Sequence, residues 1–528
     1  MTTHPTAPEM HWSRWGNPDL AGPLPESAFA LVDAFIGTRD TPAVDLADVR
    51  LSEPLAAELV AELVTIVGAE HVLTDHDTRL HRTRGKSTPD LLKLRSGDGT
   101  DSPDAVVRPA DHDQVAELIA WCVRRHVALV PFGGGTSVVG GLAAEREGFN
   151  GVISLDLIRF DKLVEVDHVS MTAVLEPGLR GPQAEALLQA EGVTLGHFPQ
   201  SFEYASIGGF AVTRSSGQSS AGYGRFDSLV VGLTVATPIG TLELGSSPAN
   251  AAGPDLRELV MGSEGTFGVV TSVRVRVRPV PVVKAFESWR FETFAEGVTA
   301  MRTLVQSGLL PTVLRLSDEN ETAINLAKPA EVGGENAGGC LMITGYEGTQ
   351  AAVDARRTAC SALISGVGGD SLGTEGGEAW AEGRFHGPYL RDSLLDVGVL
   401  AETMETVTFW SNLDHVYTSV KDAVTASLGA DSLVLCHISH VYETGASLYF
   451  TVATKQADDA LAQWLVAKDA VSAAMVRNGA SITHHHAVGR DHKPWLAEEI
   501  GPVGVEMLRA VKQRMDPTGV LNPGVLIP

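Results

Sequence analysis

Residues 129–141, Leu-Val-Pro-Phe-Gly-Gly-Gly-Thr-Ser-Val-Val-Gly-Gly, constrain this chain more than any other stretch. An apolar run suited to a short strand breaks into Gly133, Gly134 and Gly135. Thr136 and Ser137 follow, then Gly140 and Gly141. Glycine reaches positive φ freely and carries no Cβ, so successive backbone N–H groups can converge on an anion. With two hydroxyls as extra donors, the natural guest is a phosphate or pyrophosphate. A Walker loop would end in Gly-Lys-Ser/Thr, and a Rossmann fingerprint would open a long helix with Gly-x-Gly-x-x-Gly. Neither pattern is met: after Gly135 the next glycine is Gly140, and a strand pattern at 151–157 follows. Glycine content alone reads equally well as a plain turn in an α/β protein.

Two later segments supply context. Residues 198–209 carry Gln200, Ser201, Ser206 and Gly208, and residues 261–270 read Met-Gly-Ser-Glu-Gly-Thr-Phe-Gly-Val-Val. In order and spacing the three resemble the FAD-binding domain of the vanillyl-alcohol oxidase/p-cresol methylhydroxylase superfamily. That resemblance implies an α+β fold, with a two-part FAD-binding domain and an α+β cap built on an antiparallel sheet. It implies FAD held by Pro131, Phe132, Gly133, Gly134, Gly135, Thr136 and Ser137. Gln200, Ser201, Ser206, Gly208, Thr213, Arg214, Ser215 and Ser216 complete the middle part of the cofactor set. Glu264, Gly265, Thr266, Gly268, Val269 and Val270 form the last part. Some members carry a flavin-tethering histidine in the first loop, where this chain has Thr136, so FAD is expected to bind without a covalent link.

The 528 residues exceed one hydrophobic core and suit two or three domains. Sixty-five acidic residues against 40 Lys and Arg give a net charge of −25, which excludes broad contact with nucleic acid or anionic lipid. Cys122, Cys340, Cys360 and Cys436 lie far apart, which indicates neither a zinc site nor a disulfide framework. Residues 1–19 lack an apolar core, and the longest uncharged run, 127–144, is interrupted by glycines and a proline. A soluble, cytoplasmic protein is expected, with peripheral membrane contact and a homodimer left open.

The order of signals divides the chain into a mainly helical extension (1–100), the FAD-binding domain (101–281), a substrate-binding cap (282–480) and a C-terminal segment (481–528) that returns to the flavin. Asp111 with Gln114 marks a helix start, and Val115, Leu118, Ile119, Cys122 and Val123 repeat at helical spacing. Strands are expected at 128–132, 152–155, 163–166 and 172–175, and a helix at 182–191. Residues 271–278 alternate Val and Arg, a half-exposed strand with solvated arginines. In the cap, 294–306 and 350–363 read as helices, 341–345 and 447–454 as strands, and 366–377 as an exposed loop. The densest cationic cluster, 81–86, reads as a solvated loop, with a role at the site as the alternative.

A closer resemblance, almost end to end, is to the alkyldihydroxyacetonephosphate synthase family. It rests on Trp12 to Asp19, Gly133 to Val138, Arg315 between two leucines, and Tyr389-Leu390-Arg391-Asp392. Tyr449 in Leu-Tyr-Phe and the run His484-His485-His486-Ala487-Val488-Gly489 complete it. It implies exchange of the acyl group of acyl-dihydroxyacetone phosphate for a long-chain fatty alcohol, an ether-forming step with no net redox. By motif position Tyr449 is the acid/base, to be activated by nearby positive charge, and His484, His485 and His486 contribute polar or acid/base contacts. Arg391 suits the phosphate, with an ion pair to Asp392 as its alternative. Arg315 suits flavin or substrate, with a structural ion pair as its alternative. In a strand His485 would face away from His484 and His486, so no metal is expected. Ala487 stands where the family motif carries glycine. The competing reading is an FAD-dependent dehydrogenase or oxidase of 2-hydroxy acids such as D-lactate or glycolate, its arginines binding a carboxylate.

Overall fold

The computed structural model describes residues 8–143, 145–324 and 338–528. A four-stranded sheet takes Val72–Leu73, Ala105–Val107, Val152–Asp156 and Ala128–Phe132 in that order, the last three parallel. The helix His112–Arg125 makes the crossover. Asp111 caps it by accepting from the Gln114 N–H, and the Gln114 side chain accepts from the Ala110 N–H at 2.7 Å. Val115, Leu118, Ile119 and Cys122 share its buried face, as their spacing predicts, while Val123 packs at the margin. His126, at φ 53°, ends the helix in the left-handed region, and the chain then enters Ala128–Phe132. This strand is buried along most of its length, which is why its sequence is one apolar run. Its end delivers the glycine loop.

A five-stranded antiparallel sheet follows, ordered Gly240–Leu244, Val230–Thr237, Val269–Arg276, Thr172–Leu175 and Leu163–Asp167. Val273 and Val275 point into its core while Arg274 pairs with Glu165 at 3.2 Å, the expected alternation. Arg278 departs from the solvated reading. Its guanidinium lies 3.6 Å from the Tyr223 ring centroid, because the chain there leaves the sheet to pair with Val193–Thr194.

The third sheet is antiparallel, ordered Asp370–Gly373, Val283–Phe291, Cys340–Gly348, Val313–Ser317, Leu433–Ile438, Gly445–Lys455 and Val399–Phe409. Helices Phe294–Gln306, Gln350–Gly366, Leu413–Leu428 and Ala460–Arg477 share one core with it. Side chains alternate across a strand. Leu314, Leu316, Cys436, Ile438, Leu448 and Phe450 therefore face these helices, and Arg315, His437 and Tyr449 face the other way. The expected loop at 366–377 contains the edge strand Asp370–Gly373, all four residues exposed. Its polar, glycine-rich sequence hid it, since only its backbone pairs.

The cationic cluster is not a solvated loop. Arg82 is buried between Asp156 (3.0 Å) and Glu9 (2.8 Å), and Arg84 is buried against Asp101 (2.7 Å). Lys86 donates to the His11 carbonyl at 2.6 Å. Burying such cations needs partners, and the partners come from distant parts of the chain. At the other end, Leu521 bridges Leu129, and the Asn522 amide donates to the carbonyls of Glu264 (2.7 Å) and Gly141 (3.2 Å). The C-terminal segment thus closes on the glycine loop.

Candidate active site

A cavity of about 440 Å³ lies between the first two sheets and the outward face of the third. Its deep end is walled by Pro131 to Ser137, then Gln200, Ser201, Ser206, Gly208, Thr213, Ser215 and Ser216, and then Glu264, Gly265, Gly268, Val269 and Val270. A Cβ on Gly134 would collide with the Tyr204 carbonyl, and Gly135 sits at φ 70°, so the loop can pass only as glycine. The Gln218 side-chain Oε1, on the wall, is buried without a partner, an acceptor left for a ligand donor. Hydroxyl donors, side-chain-free backbone and an unpaired amide oxygen fit the pyrophosphate and heterocycle of FAD.

Two expected cofactor residues are placed elsewhere. Arg214 turns away to Asp227 (3.1 Å) and Glu258 (2.7 Å), and its own backbone is left-handed at φ 53°. Thr266 is buried with its hydroxyl donating to the Ser263 carbonyl. Both shape the loops behind the wall. Glu264 accepts from the N–H groups of Gly489 (2.7 Å) and Val488 (3.2 Å), and burial pushes its carboxyl up to about 7. One carboxylate thereby joins the third cofactor segment to the histidine motif.

Residues 484–486 form a turn and not a strand, so the expected divergence of the three histidines does not occur. Their backbone N–H groups wrap one buried carboxylate, Glu405, at 2.7, 3.2 and 3.0 Å. His485 and His486 line the cavity, while His484 lies behind them, its Nδ1 2.9 Å from that of His485 and its Nε2 on the Tyr442 hydroxyl. Burial drives His484 and His440 well below the ordinary histidine range and His486 down to about 3, so these rings stay neutral. His440, His484 and His485 bring one nitrogen each within 4.8 Å of one another. These rings are already engaged, His440 by Ser216 at 3.1 Å, His484 by the Tyr442 hydroxyl and His485 by Glu405 at 3.4 Å. Ala487 sits at φ 73°, the left-handed conformation that glycine would take without strain.

Tyr449 stands opposite Glu405 on the neighbouring strand and stacks on His437 with centroids 4.8 Å apart. The expected activation by positive charge is absent. Burial, reinforced by Glu402 and Glu405, outweighs Arg391 and pushes the phenol up to about 12. Arg315 is ion-paired with buried Glu321 and donates to His437 Nδ1 at 3.0 Å. Its structural alternative is therefore realised, although its side chain also borders the cavity. Arg391 pairs with Asp392 at 2.8 Å and donates to the Lys86 carbonyl at 2.6 Å, but its Nη2 is buried without a partner. Two of its donor groups fix the side chain, and one is left for a ligand.

The residue-by-residue reading missed Arg384, Glu402, His437 and His440, all on the wall, while Lys86, also on the wall, realises the role at the site weighed as the alternative for the cationic cluster. The His-Ile-Ser-His spacing at 437–440 in an apolar strand was the available signal.

Family comparisons agree with this geometry. A model described as "FAD binding domain" matches residues 103–245, and "FAD linked oxidases, C-terminal domain" matches 280–526. An alkyldihydroxyacetonephosphate synthase of Dictyostelium discoideum is 32% identical over 514 residues, covering 93% of this chain and 84% of that protein. A solved alkyldihydroxyacetonephosphate synthase superposes with a TM-score of 0.84 at 28% identity, covering 98% of this chain and all of the other. Substrate-bound p-cresol methylhydroxylase shares the fold with a TM-score of 0.72 at 16% identity, over 89% of this chain and 98% of its own. The molecule is an FAD-binding enzyme with the same fold as p-cresol methylhydroxylase. The chain belongs to the alkyldihydroxyacetonephosphate synthase family.

Proposed function

We propose that the protein exchanges the acyl group of acyl-dihydroxyacetone phosphate for a long-chain alcohol, forming an ether and releasing a fatty acid without net redox. The observation that carries this over oxidation of a small hydroxy acid is the apolar share of the cavity wall. Leu341, Ile343 and Trp380 from one apolar cluster and Leu390 and Leu394 from another line the cavity, surface suited to alkyl chains and superfluous for lactate.

When bound, FAD would be held by the 133–137 loop with Ser206, Gly208 and Gly265, and would supply a nucleophilic ring nitrogen to a reaction without net redox change. The protein's own groups do the rest. The free Nη2 of Arg391 meets the phosphate, while Asp392 and the Lys86 carbonyl hold the guanidinium in one orientation. Arg315, tied to Glu321 and His437, sets the ring against which Tyr449 stacks. His486 is neutral and can accept the C1 proton, which burial of the ring favours returning to C1 as the ether forms, so the product keeps both C1 hydrogens. Tyr449 retains its proton at neutral pH and donates to the oxygen that gains charge. His485 extends this wall and His484 positions it from behind. Thr136 offers the first loop a hydroxyl where tethered relatives carry histidine, so FAD is held non-covalently and acid precipitation releases it. Both long-chain substrates partition into membranes, so the reading places the protein in the cytoplasm with transient membrane contact, which liposome flotation tests.

The test of the reading is to mix oxidised enzyme anaerobically with acyl-dihydroxyacetone phosphate, and separately with D-lactate or glycolate. Lasting flavin bleaching by a 2-hydroxy acid would favour the dehydrogenase reading.

A further inference from the structure

Arg384 differs from the other arginines of the cavity. Arg315 has Glu321 and Arg391 has Asp392, but among the described residues no carboxylate lies within ion-pair distance of Arg384. Its Nε is buried with no hydrogen-bond partner. Aromatic rings surround it: its guanidinium carbon is 5.3 Å from the Phe198 centroid, 5.9 Å from Trp380 and 5.0 Å from Phe385. Phe202 stacks on Phe385 at 5.8 Å and closes the box. Burial lowers the guanidinium's affinity for its proton, and the one acid that opposes this, Glu347, is already held by the Tyr223 hydroxyl and Lys284. Ring faces attract a cation without neutralising it. Arg384 therefore borders the cavity with a charge that no protein anion uses.

A half-buried guanidinium whose Nε is shut off from water and which has no ion pair is costly unless something in the working complex pairs with it. A small free anion would suit a polar surround, but here the guanidinium is set in rings, next to the apolar wall of Trp380, Leu341 and Ile343. That combination fits an amphiphile with a carboxylate head and a hydrocarbon tail. We propose that Arg384 is the site for the carboxylate of the departing fatty acid. The inference rests on the exchange reading above. When the bond between C1 and the ester oxygen breaks, the electron pair stays on that oxygen and the acid leaves as an anion. The incoming alcohol supplies the ether oxygen and gives up one proton, so charge and atoms balance. Arg384 would then hold the product charge while Arg391, also on the cavity wall, holds the phosphate.

The test uses the full-length FAD-loaded protein and palmitate as probe, with binding followed by perturbation of the flavin spectrum. Arg384→Gln should weaken palmitate binding by at least tenfold, and inorganic phosphate and FAD should bind as in the wild type. Arg384→Lys, which keeps the charge without the fork, should fall between. An unchanged melting temperature and flavin content control for folding. Equal palmitate affinity in wild type and Arg384→Gln overturns the assignment, as does an equal loss of phosphate affinity or a selective loss of FAD. If the wild type forms ether yet the variants bind palmitate normally, the exchange reading stands and this inference falls. If no ether forms but palmitate binding is lost in Arg384→Gln, the carboxylate site stands and the exchange reading falls.

Discussion

The backbone N–H of His484 donates to the Glu405 carboxylate at 2.7 Å, and the next two N–H groups do the same. Burial opposes ionisation of Glu405, but His485 beside it holds it well below the ordinary carboxylate range. A charge fixed on one strand thus shapes a turn 79 residues later. Glu405→Gln can accept through only one oxygen and places an amide N–H among donors. Hydrogen bonds to a charged group are each worth about 1.5–3 kcal/mol, so the variant should melt several degrees lower and lose most of its turnover. FAD content should stay near one per chain. Wild-type activity in Glu405→Gln would refute the role given to this carboxylate.

Tyr449→Phe removes a hydroxyl that is protonated at neutral pH and lines the cavity from a strand of the third sheet, not from the flavin loops. Acid/base groups typically contribute ~100- to 10,000-fold, so turnover should fall by that order. Melting temperature and FAD affinity should hardly move. Pre-steady-state assay with matched flavin loading checks it.

Arg391→Ala removes the donor assigned to the phosphate together with the Asp392 pair. Loss of a charge-assisted contact costs on the order of 1.5–3 kcal/mol, so KM for the phosphate substrate should rise roughly 10- to 150-fold. Flavin should remain bound. An unchanged KM would show that the phosphate sits elsewhere.

Ala487 carries a side chain in a left-handed conformation. That costs an L-residue roughly 1–2 kcal/mol, partly offset by the extra unfolded-state entropy of glycine, about 0.5–1 kcal/mol. Ala487→Gly should therefore stabilise the protein by up to about 1 kcal/mol, read as a higher melting temperature. A drop would mean that the methyl group's packing outweighs the strain.

The buried neutral histidines set the acid side of stability. His440, His484 and His492 are all driven well below the ordinary value of 6.5 by burial. The unfolded chain binds protons first as pH falls, so stability is present above about 6.5 and is lost on acidification. At pH 5.5, one unit below that value, each such ring costs about 1.4 kcal/mol. Melting temperature should drop between pH 7.5 and 5.5, and less steeply in a His492→Asn variant that still binds FAD.

The flavin loop was legible because its chemistry is local: Gly133 to Ser137 is contiguous, and a strand must precede it. Arg315 and Tyr449 were legible only through the family motifs; of their two strands, only the one carrying Tyr449 was expected. What could not be read were partners fixed by tertiary contact. Arg82 finds Asp156 74 residues away, and Lys86 finds the His11 carbonyl 75 residues away, so a cationic run resembled a solvated loop. The same limit hid the Glu405 carboxylate that turns residues 484–486 inward, and the ring of aromatics around Arg384. Tyr449 was placed at the site by motif, but its environment raises its pKa where activation by positive charge was expected.

The central claim is exchange without net redox, and one single-turnover experiment tests it most directly. Oxidised enzyme is mixed, under nitrogen and with no electron acceptor, with acyl-dihydroxyacetone phosphate and labelled hexadecanol while the flavin spectrum is followed. The account predicts label in an ether product, one fatty acid released per ether, and a flavin spectrum that returns to its starting form. Absence of labelled ether, or a flavin left reduced when substrate is consumed, would contradict it.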